Sequence, residues 1–210
     1  MMKKHLLAII VLLPLFISVA QNNNSSDTKL LTFKNSIQEE SIGKYAQAIL
    51  TLMKIYDKYK DEYIINLRLG WLHYLNNEYD SSIKYYKNSI EISNNESIEA
   101  ILGVTLPLAA RGEWDKVKDY YNMILNIDEN NYTANLRLGQ IDLNTGNYLS
   151  AKVYLSKVIE MYPGYYETNL YLAWTYYYLG DKSTAYDLFI EVLTLNPADK
   201  SALEGLKLIQ

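Results

Sequence analysis

Cysteine is absent from the 210 residues. That excludes disulfides, a thiol nucleophile, cysteine zinc ligands and lipidation at a cysteine. Histidine is almost as scarce: beyond His5, near the N-terminus, only His73 remains, with no second histidine to share a metal. The phosphate-cradling patterns G-x-x-x-x-G-K-[ST] and G-x-G-x-x-G do not occur, nor does the nucleophile elbow G-x-S-x-G. Carboxylate pairs such as Glu39-Glu40 and Asp128-Glu129 read as solvated charge. The expectation is a protein that is not an enzyme and needs no cofactor or metal, with His73 a packing residue. Glycine and proline are also few, at 9 and 4, whereas tyrosine reaches 21 and hydrophobic residues 49%. A helical protein with a substantial aromatic core is the class this composition favours.

The first twenty residues stand apart. Lys3, Lys4 and His5 form a basic head, Leu6 to Val19 is apolar, and Ser18-Val19-Ala20 supplies small residues at a cleavage position. Residues 1–20 are therefore expected to be a secretory signal removed before Gln21. An uncleaved anchor is disfavoured, because an apolar run broken by Pro14 falls short of the roughly 20 residues that span a bilayer. This predicts export, to a periplasm or the exterior, with no membrane insertion after cleavage. Losing Lys3 and Lys4 leaves 18 basic against 24 acidic residues, a net charge of −6. Such a balance argues against nucleic acid as a partner, since phosphate binding needs a basic surface. Residues 21–28, opening with "QNNNSSD", read as a flexible polar linker.

From residue 29 the chain repeats itself. "NLRLG" occurs at 66–70 and 135–139, and "NLYLA" at 169–173, spacings of 69 and 34. The same register aligns "GKYAQAI", "NEYDSSI", "GEWDKVK", "GNYLSAK" and "GDKSTAY", which begin at 43, 77, 112, 146 and 180. Five units follow: 29–62, 63–96, 97–131, 132–165 and 166–199. Apolar residues recur at threes and fours on both sides of each turn, so each unit reads as two antiparallel helices. Gly70 with Ser82, Gly139 with Ala151, and Ala173 with Ala185 are small pairs twelve apart, which lets the two helices cross closely. Unit 97–131 departs from the others. It is one residue longer, has Val104-Thr105 opposite Val117, and carries Pro107 within its first helix, where a kink is expected.

On Leu138, Gly139, Ala151, Leu155 and Pro163, and on Leu172, Ala173, Tyr176, Ala185, Phe189 and Pro197, the chain resembles the tetratricopeptide repeat family. The resemblance implies an all-α, right-handed α-solenoid of helix-turn-helix repeats over 29–199, with 200–210 as a capping helix. It also implies a role as a protein-protein interaction module or scaffold, here in a bacterial cell envelope, with a partner segment held in a concave groove lined by the first helices. Carried onto matching positions, the groove would consist of Leu67, Arg68, Trp71 and Tyr74; Leu102 and Leu106; Leu136, Arg137 and Gln140; and Leu170, Tyr171, Trp174, Tyr177 and Tyr178. Arg68 and Arg137 would meet acidic groups of a protein or peptide partner. The aromatic richness of 162–186, with eight tyrosines, keeps two alternatives open: a module binding glycan or peptidoglycan, and a structural protein that self-associates as a homo-oligomer.

Overall fold

The structure, a computed structural model, describes the backbone of residues 13–209 and the side chains of residues 26–209. Among the described residues there are eleven helices and no strand. They are α1 (Leu13–Ser41), α2 (Tyr45–Tyr59), α3 (Tyr63–Leu75), α4 (Tyr79–Ile92), α5 (Ile98–Ala110), α6 (Trp114–Ile127), α7 (Tyr132–Asn144), α8 (Tyr148–Met161), α9 (Tyr166–Tyr178), α10 (Lys182–Leu195) and α11 (Lys200–Ile209). Two compact units result, one ending at Ile92 with α1–α4 and one starting at Ser93 with α5–α11. Within each, a helix packs on the next in sequence, and α9 also touches α7 and α11. This is the all-α solenoid of stacked hairpins that the repeats imply.

Every hairpin closes with the same turn. The residue at positions 43, 77, 112, 146 and 180 has positive φ, and it is glycine in all but one, where Asn77 takes φ 60°. Two backbone bonds fix the reversal, as in Gly180 N–H to Tyr177 O at 3.0 Å and Asp181 N–H to Tyr176 O at 3.0 Å. These satisfy carbonyls that the helix end would leave unpaired, at a position that glycine or asparagine tolerates best.

The expected crossings are present. Gly70, Ser82, Gly139, Ala151, Ala173 and Ala185 are all buried. A Cβ on Gly139 would lie 2.5 Å from Leu155 Cγ, so only hydrogen fits there. In the first hairpin Ser36 fills the small position, and its hydroxyl donates to Ala48 O at 3.1 Å; Ser82 donates likewise to Gly70 O at 2.7 Å. A hydroxyl thus adds a bond across the same close approach. Around these crossings sit the core side chains: Leu52, Ile65, Leu69 and Leu72 in one unit, Leu136, Leu155, Val158 and Phe189 in the other.

The asparagine that opens each "NL" repeat has its own task. Asn66 Nδ2 donates to Lys60 O at 2.6 Å and Glu62 O at 2.8 Å. Asn135 reaches Glu129 O and Asn131 O, both at 3.0 Å. Asn169 reaches Pro163 O at 2.8 Å and Tyr165 O at 3.1 Å. Each side chain is buried, and each acceptor lies six or four residues earlier. The asparagine therefore clamps the link between one hairpin and the next, where backbone carbonyls leave the preceding helix without partners. Ile101 stands at the corresponding place in α5 and cannot do this.

The proposed signal, residues 1–20, lies outside the described side chains, and 1–12 outside the described backbone. Residues 21–28, expected as a flexible linker, are helical and continuous with the rest of α1. Extending an existing helix avoids the cost of nucleating a new one, so even poor helix formers can join it. Of residues 200–210, expected as a capping helix, Lys200–Ile209 form a helix in the first-helix place of a sixth repeat: α11 packs on α9 and α10, with Ala202 and Gly205 buried. Lys207, exposed, occupies the position that Gly139 and Ala173 hold in earlier units. A second helix packed there as α10 packs on α9 would meet an ammonium group in place of a small side chain. α5 runs unbroken through the buried Pro107.

Candidate functional site

The first helices carry a ladder of polar and aromatic groups. Between α1 and α3, the Glu40 carboxylate binds the Arg68 guanidinium and accepts a bond from Trp71 Nε1 at 2.7 Å. Glu40, expected as solvated charge, is instead four-fifths buried and holds two of the expected groove residues in place. Tyr74 packs against Trp71 at 5.8 Å between ring centroids. Between α7 and α9, Arg137 binds Gln140 Oε1 at 2.8 Å and Glu167 Oε1 at 2.9 Å. Gln140 Nε2 donates to Tyr171 Oη at 2.6 Å, and Tyr171 donates to Glu167 at 3.1 Å, which closes a four-membered ring of side chains. Burial first, and the Glu167 charge second, raise the Tyr171 pKa, so the phenol keeps the proton it donates.

Both arginines thus have partners within the chain rather than free heads for a ligand. Arg137 remains 39% exposed, so its outer edge still reaches solvent. Leu67 and Leu136, named as groove residues from the sequence, are buried, and Leu136 belongs to the core cluster with Ala151 and Leu155. Leu67 lies three residues before the buried Gly70 and Leu136 three before the buried Gly139, so each shares the packed face of its helix. Leu170, Trp174 and Tyr177 occupy a middle position. They are half-buried and pack on the cluster around Phe189; Trp174 lies 5.2 Å edge-on to Phe189 and donates to Ser201 Oγ at 2.8 Å. Leu106 at 38% and Tyr178 at 50% exposed are presented outright. His73 is buried, stacked on Tyr85 at 5.1 Å and bonded to Glu78, as a packing residue would be.

Sequence reasoning missed a second feature of the unit that begins at Ser93. A cleft of about 560 Å³ opens at the turn between α7 and α8, lined by Lys118, Asp142, Asn147, Tyr148, Leu149, Ser150 and Leu179 along with Gly146. Asp142 is buried, with one carboxylate oxygen on Lys118 Nζ and the other accepting from Ser150 Oγ. Tyr148 stacks on Tyr178 at 4.8 Å with the rings 11° apart. No group of three or more His, Cys, Asp or Glu among the described residues is placed to hold a metal. No helix among the described residues is long and apolar enough to cross a membrane.

Residues 64–96 and 132–165 match one tetratricopeptide repeat model, and residues 167–198 match another. No curated protein matches. Among solved structures, the chain resembles YrrB, described as a tetratricopeptide repeat protein with an unusual peptide-binding site, at 16% identity and a TM-score of 0.71, covering 90% of this chain and 97% of that one. A tetratricopeptide repeat protein from Parabacteroides merdae aligns at 17% identity and a TM-score of 0.76, covering 87% and 72%. MamA aligns at 17% identity and a TM-score of 0.70, covering 80% and 92%. At these identities the likeness is one of fold.

Proposed function

The chain belongs to the tetratricopeptide repeat family, and on that premise we propose that it is a non-catalytic scaffold of the cell envelope that docks a segment of a partner protein on its first helices. One observation carries this reading. The ring formed by Arg137, Gln140, Glu167 and Tyr171 fixes four polar side chains in advance, about two helical turns along α9 from the exposed Tyr178. Fixed polar groups on the same helix as a protruding aromatic lower the ordering cost of binding an extended segment. The peptide-binding site described for YrrB lies on the same fold and supports the same use of it. The signal-like first twenty residues support export to a periplasm or the exterior.

The test places a photo-crosslinking residue at position 106 or 178, with position 153 on α8 as the control, in the native cell. Val153 is 59% exposed, which makes it a fair comparison. One partner band at 106 and 178 but not at 153 is the expected result. Equal crosslinking at all three positions would remove the first-helix face from the proposal. Self-association by continued stacking is disfavoured at α11, because Lys207 fills the crossing position there.

A further inference from the structure

We infer that the cleft beside Tyr148 is a binding site for a neutral saccharide, next to the first-helix face and joined to it through the Tyr148–Tyr178 stack. Its volume of about 560 Å³ lies inside the range of about 300–1,000 Å³ usual for small-ligand clefts and accommodates one or two sugar rings. The lining combines two kinds of surface. Tyr148, Leu149 and Leu179 are apolar, and Leu149 is 73% exposed at the cleft with no packing role to account for it. Lys118, Asp142, Asn147 and Ser150 are polar.

Tyr148 is the platform. Tyr178, which does not line the cleft, stacks on one face of the ring at 4.8 Å, so on this proposal the ligand packs on the Tyr148 face away from Tyr178. The stack extends inward, since Tyr178 lies 5.9 Å from Trp174, which contacts Phe189 in the core. A platform held from behind loses little freedom on binding. A pyranose offers one face of C–H groups that sits on such a ring and an edge of hydroxyls that need both donors and acceptors.

The polar wall decides the charge of the ligand. Lys118 and Asp142 neutralise each other within the cleft, and Ser150 takes the remaining carboxylate oxygen. A phosphate would meet the buried Asp142 carboxylate, and a cationic side chain would meet Lys118. Either charge would enter a site with no surplus of the opposite sign, at a desolvation cost. A polyol needs no countercharge. Lys118 has further N–H donors beyond the one given to Asp142, and Asn147 contributes an amide, so hydroxyls find both kinds of partner.

The experiment titrates the full chain with cellotetraose, chitotetraose and maltotetraose at millimolar concentrations and follows backbone amide resonances. Saturable shifts at residues 146–150 and 179 with at least one of the three are expected. Tyr148→Phe should keep the affinity, while Tyr148→Ala should weaken it by about tenfold or more, the scale of one lost stacking contact. Circular dichroism checks that Tyr148→Ala still folds. If it does not, Leu149→Asp at its exposed position serves instead and should also weaken binding. No saturable shift with any of the three sugars would overturn the inference. So would shifts that Tyr148→Ala or Leu149→Asp leaves unchanged, or the same amides responding to a partner peptide and to no sugar.

Discussion

Replacing Gly139 by alanine should lower stability in the native sequence and raise it once Leu155 has been cut to alanine. The new Cβ would stand 2.5 Å from Leu155 Cγ, 2.7 Å from Cδ2 and 3.4 Å from Cδ1. The nearest atom is a branch point on a side chain with no solvent exposure, so Leu155 cannot swing its tip away. Overpacking of this kind costs about 1–3 kcal/mol, and a clash at the branch point belongs in the upper part of that range. Against it, alanine is favoured over glycine inside a helix by about 1 kcal/mol. The net effect is a loss of about 1–2 kcal/mol. Leu155→Ala alone leaves a cavity and should cost about 2–5 kcal/mol. In that background all three clashing atoms are gone, only the helix preference remains, and Gly139→Ala should return about 1 kcal/mol. Urea unfolding of the four variants, followed by circular dichroism at 222 nm, measures the cycle. An effect of the same sign and size in both backgrounds would refute the crossing argument.

Two further outcomes can be checked in the same way. Asn66→Ala should destabilise more than Asn135→Ala, because the Asn66 Oδ1 also accepts from Tyr56 and Asn88, whereas the buried Asn135 Oδ1 has no partner. At about 1 kcal/mol per bond, a difference of about 2 kcal/mol is expected in the unfolding free energies from urea titration, and equal losses would dismiss the two Oδ1 bonds as its source. The Asp181 carboxylate at the start of α10 is held below its usual pKa by the Thr184 backbone N–H first and the Thr184 hydroxyl second. A depressed folded pKa adds stability above the unfolded value near ~3.9 and loses it as pH falls through the folded one. The melting-temperature deficit of Asp181→Ala at pH 7 should therefore shrink below about pH 4, and a constant deficit would count against this role.

Periodicity made the hairpins readable because it records helix geometry directly. Gly139 and Ala151 sit twelve apart, as do Gly70 with Ser82 and Ala173 with Ala185, so the close crossing in those units could be inferred before any contact was known. Asn135 was visible in the repeat but not its purpose, since an asparagine inside a helix looks merely unfavourable. Its place on the buried face beside Leu138 was the available signal. The partners of Arg68 and Arg137 lie 28 and 30 residues away, at Glu40 and Glu167. No fixed offset announces such pairs, so the arginines looked free. Trp174 shows the remaining gap: an aromatic on a first helix fits both a ligand face and the layer above Phe189, and only its neighbours settle which. The cleft at Tyr148 joins α6, α7, α8 and α9 and left no motif in any one of them.

The asparagine clamps have a consequence for how such a chain can grow. Asn66, Asn135 and Asn169 each bond to carbonyls no more than six residues upstream. The clamp at each of these seams is therefore written inside one short stretch, alongside longer-range pairs such as Arg137 with Glu167. A stretch such as 129–162, copied in tandem, would carry its own fastening to the hairpin before it. Gene duplication could lengthen the array with each copy bringing its own asparagine clamp.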